Sequence, residues 1–385
     1  MYSTGQLVCA SQGVLQLPGM LGSMGIQRAA LLTGGSSLDR SGWRARIEEA
    51  FRDASIACQI HQVKGEPSVE LVDDITREAK EFHVQAVTAV GGGSVIDAAK
   101  AVSAMVCEPL GVERYLEGVG DRKPSGKRVH FSAVPTTAGT GSESSFNAVI
   151  SRIGSFKKSL RHEAYTPDIA VLDPQLSLTC PPSVTAASGL DAVTQLLESY
   201  VSVRAHPITD ALALQGLCLA GSAFDKAVRD EPDEDFRAQM LLAAYLSGIT
   251  LSNAGLGAVH GVAGVLGGMQ DIPHNIVCGT LLFEITAASI RKLESSGYRD
   301  GETYRKYARA GCALAGSSDT CTAEDGIPML LNTLSRWQEQ LVRPRLSEYG
   351  FTKEKLKRAA AASDCKQAPV ILDAGELEAV LLSRL

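Results

Sequence analysis

AVTAVGGGSVIDAAKAVSAM (86–105) is the stretch that decides the fold: an apolar run, then Gly91-Gly92-Gly93-Ser94, then apolar residues at helical spacing from Val95 onward. That order predicts a strand, a tight turn and a helix, the opening of a βαβ unit. Three glycines let the backbone come close to an anion, and the amides of the following helix N-terminus supply donors and a favourable dipole. A pyrophosphate suits such a cradle. The pattern is neither a GxGxxG fingerprint nor a Walker loop, so it indicates neither an ordinary Rossmann domain nor an NTPase. A tight strand-to-helix turn with no ligand would also require glycine.

The flanking sequence repeats the theme. RAALLTG (28–34), ACQIHQV (57–63), VHFSAVPT (129–136) and IAVLDP (169–174) read as further strands, while SGWRARIEEAFRDA (41–54) and VELVDDITREAKEFH (69–83) carry helical periodicity between strands. Alternating strands and helices predict a parallel sheet wrapped by helices, an α/β dinucleotide-binding domain over residues 1–180. Two more loops follow strands. VPTTAGTGSESSFNAVIS (134–151) offers the short hydroxyl donors Thr136, Thr137, Thr140 and Ser142 to ribose and phosphate oxygens. LLTGGSSLDR (31–40) offers Gly34, Gly35, Ser36 and Ser37 without a negative charge at the turn, which makes room for a 2′-phosphate and tilts the expected cofactor from NAD toward NADP. Asp39 and Arg40 lie beside that turn, and Asp97 joins the candidate cofactor residues from the helix after the glycines.

Past Pro181-Pro182 the β-branched runs give way to Ala- and Leu-rich stretches at helical spacing, so residues 181–385 are expected to form an all-helical domain, with Ser183 and Thr209 as N-caps. A chain of 385 residues outgrows a single core, consistent with two domains, and these are expected to face each other across a ligand cleft. The formal charge is −6 and no basic stripe with interleaved aromatics occurs, which argues against nucleic acid or an anionic membrane as partner and for a small molecule. Nine dispersed cysteines without a CxxC pair suit free thiols in a reducing compartment. With no charged n-region followed by a long apolar core at the N-terminus, the expected location is cytoplasmic.

The second domain carries a metal-binding pattern. NAGLGAVHGVAGVLGGMQDIPHNIVC (253–278) places His260 and His274 fourteen residues apart in a Gly-rich, nearly uncharged setting. Neutral imidazoles offer lone pairs and are costly to bury idle. In GLDAVTQLLESY (189–200), Asp191 and Gln195 stand four apart on one helical face and supply the carboxylate that a two-histidine site lacks. Core histidines with no ligand are the competing reading.

Taken in order, GGGSVIDAAK, PTTAGTGSE, KKSLRHEAYTPDIAVLDP, GLDAVTQLLESYVS and NAGLGAVHGVAG…DIPH resemble the iron-containing (group III) alcohol dehydrogenases over essentially the whole chain. The resemblance implies a dehydroquinate-synthase-like fold, a nicotinamide cofactor, a divalent metal, Fe(II) or Zn(II), and a homo-oligomer such as a dimer. It implies hydride transfer between NAD(P)H and a small aldehyde, ketone or oxo acid. It assigns Asp191, His260 and His274 to catalysis and metal binding, and Lys158 to the cofactor. The family holds its metal with one Asp and three His; Gln195 stands at one of those His positions, and Gly264 stands where many members carry a further histidine near the nicotinamide. An amide oxygen is a poorer ligand for iron or zinc than imidazole. Gln195 therefore keeps open a metal-independent, maleylacetate-reductase-like enzyme, and the scaffold also admits a lyase or cyclase, or a non-catalytic binding protein. Asn147, Arg161, His162 and Arg204 are candidates for an anionic substrate group.

Overall fold

A computed structural model describes residues 4–152, 154–229, 233–317, 322–341 and 345–385. They pack as two compact units, Met1–Cys180 with Pro232–Leu241, and Pro181–Glu231 with Leu242–Leu385. The short segment 232–241, which the sequence reading places in the helical domain, thus groups with the first unit.

Among the described residues the first unit holds eight strands: β1 (Gln6–Cys9), β2 (Arg28–Thr33), β3 (Ala57–Gln62), β4 (Ala86–Gly91), β5 (His130–Pro135), β6 (Asn147–Arg152), β7 (Phe156–Arg161) and β8 (Ile169–Leu172). Six form one sheet in the order β1-β8-β5-β4-β2-β3. All pairings in it are parallel, for example Ala29↔Ala86 between β2 and β4 and Ala86↔His130 between β4 and β5. Its inner strands β2, β4, β5 and β8 bury both faces, as the interior of a parallel sheet requires, while the edge strands β1 and β3 stay at least partly accessible. In β4, Val87 and Ala89 pack with Val72 and Ile96 of helices Val69–Glu81 and Gly93–Met105, while Ala86 and Val90 pack with Ile47 and Phe51 of helix Trp43–Asp53. The remaining two strands, β6 and β7, form a separate antiparallel hairpin.

Strand order positions the loops. After β2 the chain moves outward to β3, whereas β4, on the other side of β2, leads the opposite way to β5 and β8. The loops leaving β2 and β4 diverge at this reversal, the place where open α/β sheets bind ligands.

The second unit contains helices and no strand among its described residues. Helix Pro182–Val201 is its axis: every residue from Thr185 to Val201 is buried, and it packs against helices Pro207–Ala227 and His274–Ser295. Two expected caps move. Pro181 is the N-cap and Pro182 opens the helix, because proline lacks only an amide that the first turn cannot use; Ser183 is inside. His206 caps the next helix, with Thr209 at its third position closing a capping box. Cys9, Cys58, Cys107, Cys180, Cys218, Cys278 and Cys365 are thiols outside any disulfide, but Cys312 is disulfide-bonded, a departure from the all-thiol expectation. No single described helix is long and apolar enough to cross a membrane.

Candidate metal centre

Three helices bring the candidate ligands together. Asp191 projects from helix Pro182–Val201, His260 from Ala258–Met269, and His274 opens His274–Ser295. Asp191 Oδ1 lies 3.4 Å from His260 Nε2 and 4.0 Å from His274 Nε2. The carboxylate is 0% exposed, and neither of its oxygens has a hydrogen-bond partner. Leaving such a group orphaned costs several kcal/mol unless something else neutralises it. Burial works against its charge, yet the imidazoles of His260 and His274 hold the carboxyl below the usual range. The residues fit a divalent cation: an anionic oxygen with no partner faces two imidazole nitrogens.

Two members of the cluster escape the sequence reading. Cys278, fully buried, joins Asp191, His260 and His274, with ligand atoms of all four within 4.8 Å of one another. Burial pushes its thiol up to about 12. Glu198 lies behind His260: Oε2 is 2.6 Å from Nδ1, and Oε1 accepts the Val259 amide at 2.6 Å. A carboxylate on Nδ1 keeps a proton there, so Nε2, on the side of Asp191 and Cys278, is the nitrogen that would ligate a cation. Glycine at 257 permits this approach, since a β-carbon there would sit 2.9 Å from Glu198 Oε1. The signals were in the sequence: Cys278 is four residues from His274, and Glu198 is seven from Asp191, each on a shared helical face.

Gln195 is buried, and its amide oxygen accepts the Ser247 hydroxyl at 2.7 Å. Gly264 is exposed, and a β-carbon added there would meet nothing within 4 Å.

In the first unit, the three expected loops leave the C-terminal ends of β2, β4 and β5, which are adjacent strands. Gly92 caps helix Gly93–Met105 without a side chain. The glycines let two loops interlock: a β-carbon on Gly93 would come within 2.6 Å of Thr140, and one on Gly92 within 3.3 Å of Thr137 Oγ1. Gly92, Gly93, Ser94, Thr136, Thr137 and Thr140 stay partly accessible, whereas Gly91 and Ser142 are buried. Gly34 is partly buried, Ser36 and Ser37 are exposed, and Arg40 Nη1 donates to Ser36 Oγ.

Asp97 and Ser142 serve the loop's own architecture. The Ser142 hydroxyl donates to Asp97 Oδ1 at 2.7 Å, and Asp97 Oδ2 accepts the Val149 amide at 2.9 Å. Beside them Lys100, 0% exposed, donates to the carbonyls of Ser142, Ser145 and Asn147 at 2.8, 2.8 and 2.9 Å. Burial brings its ammonium down to about 8 and pushes the neighbouring Glu143 carboxyl up to about 7. Lys158 stands exposed on β7, opposite Ile150. Of the residues considered for an anionic group, Arg161 pairs with Glu117 at 3.0 Å and His162 Nδ1 accepts the Ala164 amide, so both have local work. The Arg204 amide bonds Ser202, and the Asn147 side-chain oxygen is buried without a partner.

Residues 5–174 match the family described as iron-containing alcohol dehydrogenase, and residues 185–371 match the Fe-containing alcohol dehydrogenase family, C-terminal. A probable alcohol dehydrogenase of Salmonella typhimurium is 35% identical over 249 residues, covering 64% of this chain and 62% of that protein. An NADPH-dependent butanol dehydrogenase of Clostridium saccharobutylicum is 31% identical over 337 residues, 86% of this chain and 82% of its own. Among solved structures, a 1,3-propanediol oxidoreductase superposes with a TM-score of 0.86 at 23% identity, covering 100% of both chains. The chain belongs to the iron-containing alcohol dehydrogenase family.

Proposed function

We propose that the protein is a metal-dependent oxidoreductase that transfers a hydride between NAD(P)H and the carbonyl carbon of a small aldehyde, ketone or oxo acid. The observation that carries this reading is the fully buried Asp191 carboxylate, without a hydrogen-bond partner and flanked by two imidazoles. Asp191, His260 and His274 hold the cation, and Glu198 fixes the His260 tautomer. When bound, the cation supplies Lewis acidity toward the reacting oxygen and the nicotinamide supplies the hydride. Gly91, Gly92, Gly93 and Ser94 with Thr136, Thr137 and Thr140 receive the pyrophosphate and ribose, while Asp97, Ser142 and Lys100 brace that loop from behind. Lys158 adds a cation toward the same cofactor.

NADP is the favoured cofactor. No acidic side chain occupies Gly34–Ser37, and the Arg40 guanidinium bonded to Ser36 provides positive charge where a 2′-phosphate would lie. The butanol dehydrogenase named for NADPH supports both this choice and a small alcohol or aldehyde as substrate. A homo-oligomer belongs to the same proposal.

The test uses full-length protein purified without chelator: bound metals by elemental mass spectrometry, NADPH and NADH titrated by fluorescence, and turnover on a panel of aldehydes, ketones and oxo acids. Stoichiometric metal with NADPH-dependent reduction is expected. Nucleotide binding and turnover with no metal taken up, even after adding Fe(II), Zn(II) or Mn(II), would overturn metal dependence and leave the metal-independent reductase.

A further inference from the structure

We propose that Cys278, and not Gln195, supplies the fourth protein ligand of the cation, giving a centre of one carboxylate, two imidazoles and one thiolate suited to Zn(II). The assignment rests on the metal-dependent reading above and adds to it a ligand from a different helix.

Placement is the first ground. His274 and Cys278 lie four residues apart on helix His274–Ser295, so both side chains cover one face. Cys278 Sγ is 3.6 Å from His274 Nε2 and 3.7 Å from His260 Nε2. A tetrahedral site with Zn–S of about 2.3 Å and Zn–N of about 2.0 Å sets sulfur and nitrogen about 3.5 Å apart, and nitrogen and oxygen about 3.3 Å apart. The sulfur–nitrogen separations meet that requirement, as does the 3.4 Å between Asp191 Oδ1 and His260 Nε2. Of these separations the 4.0 Å between Asp191 and His274 must shorten, and His274, with a side chain 32% exposed at a helix start, is the ligand with room to move.

Competition for the fourth place is the second ground. The Gln195 oxygen, which would have to ligate, is uncharged and lies 2.7 Å from the Ser247 hydroxyl, so it offers a cation less than an anionic donor would. A thiolate, by contrast, is a strong ligand for zinc and a weak one for ions that prefer oxygen and nitrogen. The orphaned, fully buried Asp191 is independent of the cysteine and points to a cation at the same place. Among the described residues this is the one group of its kind. Binding breaks the S–H bond, forms the metal–sulfur bond and releases the thiol proton to solvent, with no change of oxidation state.

Cobalt(II) replaces zinc as a spectroscopic probe. The full chain is stripped with a chelator and titrated with Co(II) under anaerobic conditions. Expected is a thiolate-to-cobalt charge-transfer band in the near ultraviolet that saturates at one equivalent, disappears in Cys278→Ser and persists in Gln195→Leu. Zn(II) affinity, read by competition with a chromophoric chelator, falls at least about tenfold in Cys278→Ser, while Mn(II) affinity changes less. Co(II) bound without the band, or a band unchanged in Cys278→Ser, overturns the thiolate assignment and leaves the metal centre standing. No Co(II) bound at all overturns both. The wild-type spectrum decides the matter even where a variant folds poorly.

Discussion

Replacing Glu198 by glutamine changes one atom and exchanges an acceptor for a donor at the back of the metal centre. Both carboxylate oxygens are occupied at 2.6 Å, one by His260 Nδ1 and one by the Val259 amide, and the side chain is buried. In Glu198→Gln the new NH2 must face one of these donors. Facing Val259, it buries two opposed donors at a cost of about 1–3 kcal/mol. Facing His260, it forces the proton from Nδ1 to Nε2, the atom that looks toward Asp191 and Cys278, and a protonated nitrogen cannot bind a metal. Restoring the ligating tautomer costs a similar amount, which at about 1.4 kcal/mol per tenfold change is roughly a 10–100-fold loss of affinity. The assay is chelator competition for Zn(II) on wild type and variant, with melting curves of the metal-free proteins alongside. A variant that binds Zn(II) within about twofold of wild type would refute the claim that Glu198 sets the His260 tautomer.

Three further outcomes are expected. Glu143, with its folded-state pKa raised to about 7 from an ordinary 4.5, keeps a proton that the unfolded chain has lost, so stability present at low pH declines as pH rises through that window. Urea midpoints should fall between about pH 5 and 7.5 in wild type and fall less in Glu143→Gln; equal declines would contradict this. Gly34→Asp is sterically tolerable, its β-carbon 3.7 Å from Val95 Cγ2, and its carboxylate should weaken NADPH relative to NADH by at least about tenfold in fluorescence titration. A parallel loss of both nucleotides would count against the loop's role. Gly264→His enters open space on a helix that gains about 0.3 kcal/mol from exchanging glycine for histidine, so melting should hold or rise slightly, and a drop of several degrees would show a hidden contact.

Buried parallel strands were readable because a run such as Ala86–Gly91 must be apolar on both faces. β1 was not readable: it has four residues, lies at the sheet edge beside β8, and is largely exposed, so it needs no hydrophobic signature. The β6–β7 hairpin was hidden as well. Asn147–Arg152 closes a Ser/Thr-rich loop, and the polar residues of Phe156–Arg161 resemble a surface turn. In the metal centre, counting histidines found His260 and His274 but passed over Cys278, because a lone cysteine in an apolar helix is ordinarily core. Glu198 was passed over as well: it shares a helical face with Asp191, but the role of that carboxylate depends on an imidazole 62 residues away. Asp97 and Ser142 were legible as candidate residues, but the bond between them was not, since it joins positions 45 residues apart.

That bond and the Lys100 ammonium have a practical consequence for anyone recombining these enzymes. Helix Gly93–Met105 and the 140–149 loop are riveted by side chains of one to backbone groups of the other, so they form a single interchangeable cartridge. A chimera that imports a foreign loop onto the native helix inherits a buried ammonium with no fitted carbonyls. One that exchanges residues 91–149 as a block brings lock and key together, while the choice between NADP and NAD, proposed to lie with Gly34–Ser37 and Arg40, should stay with the host.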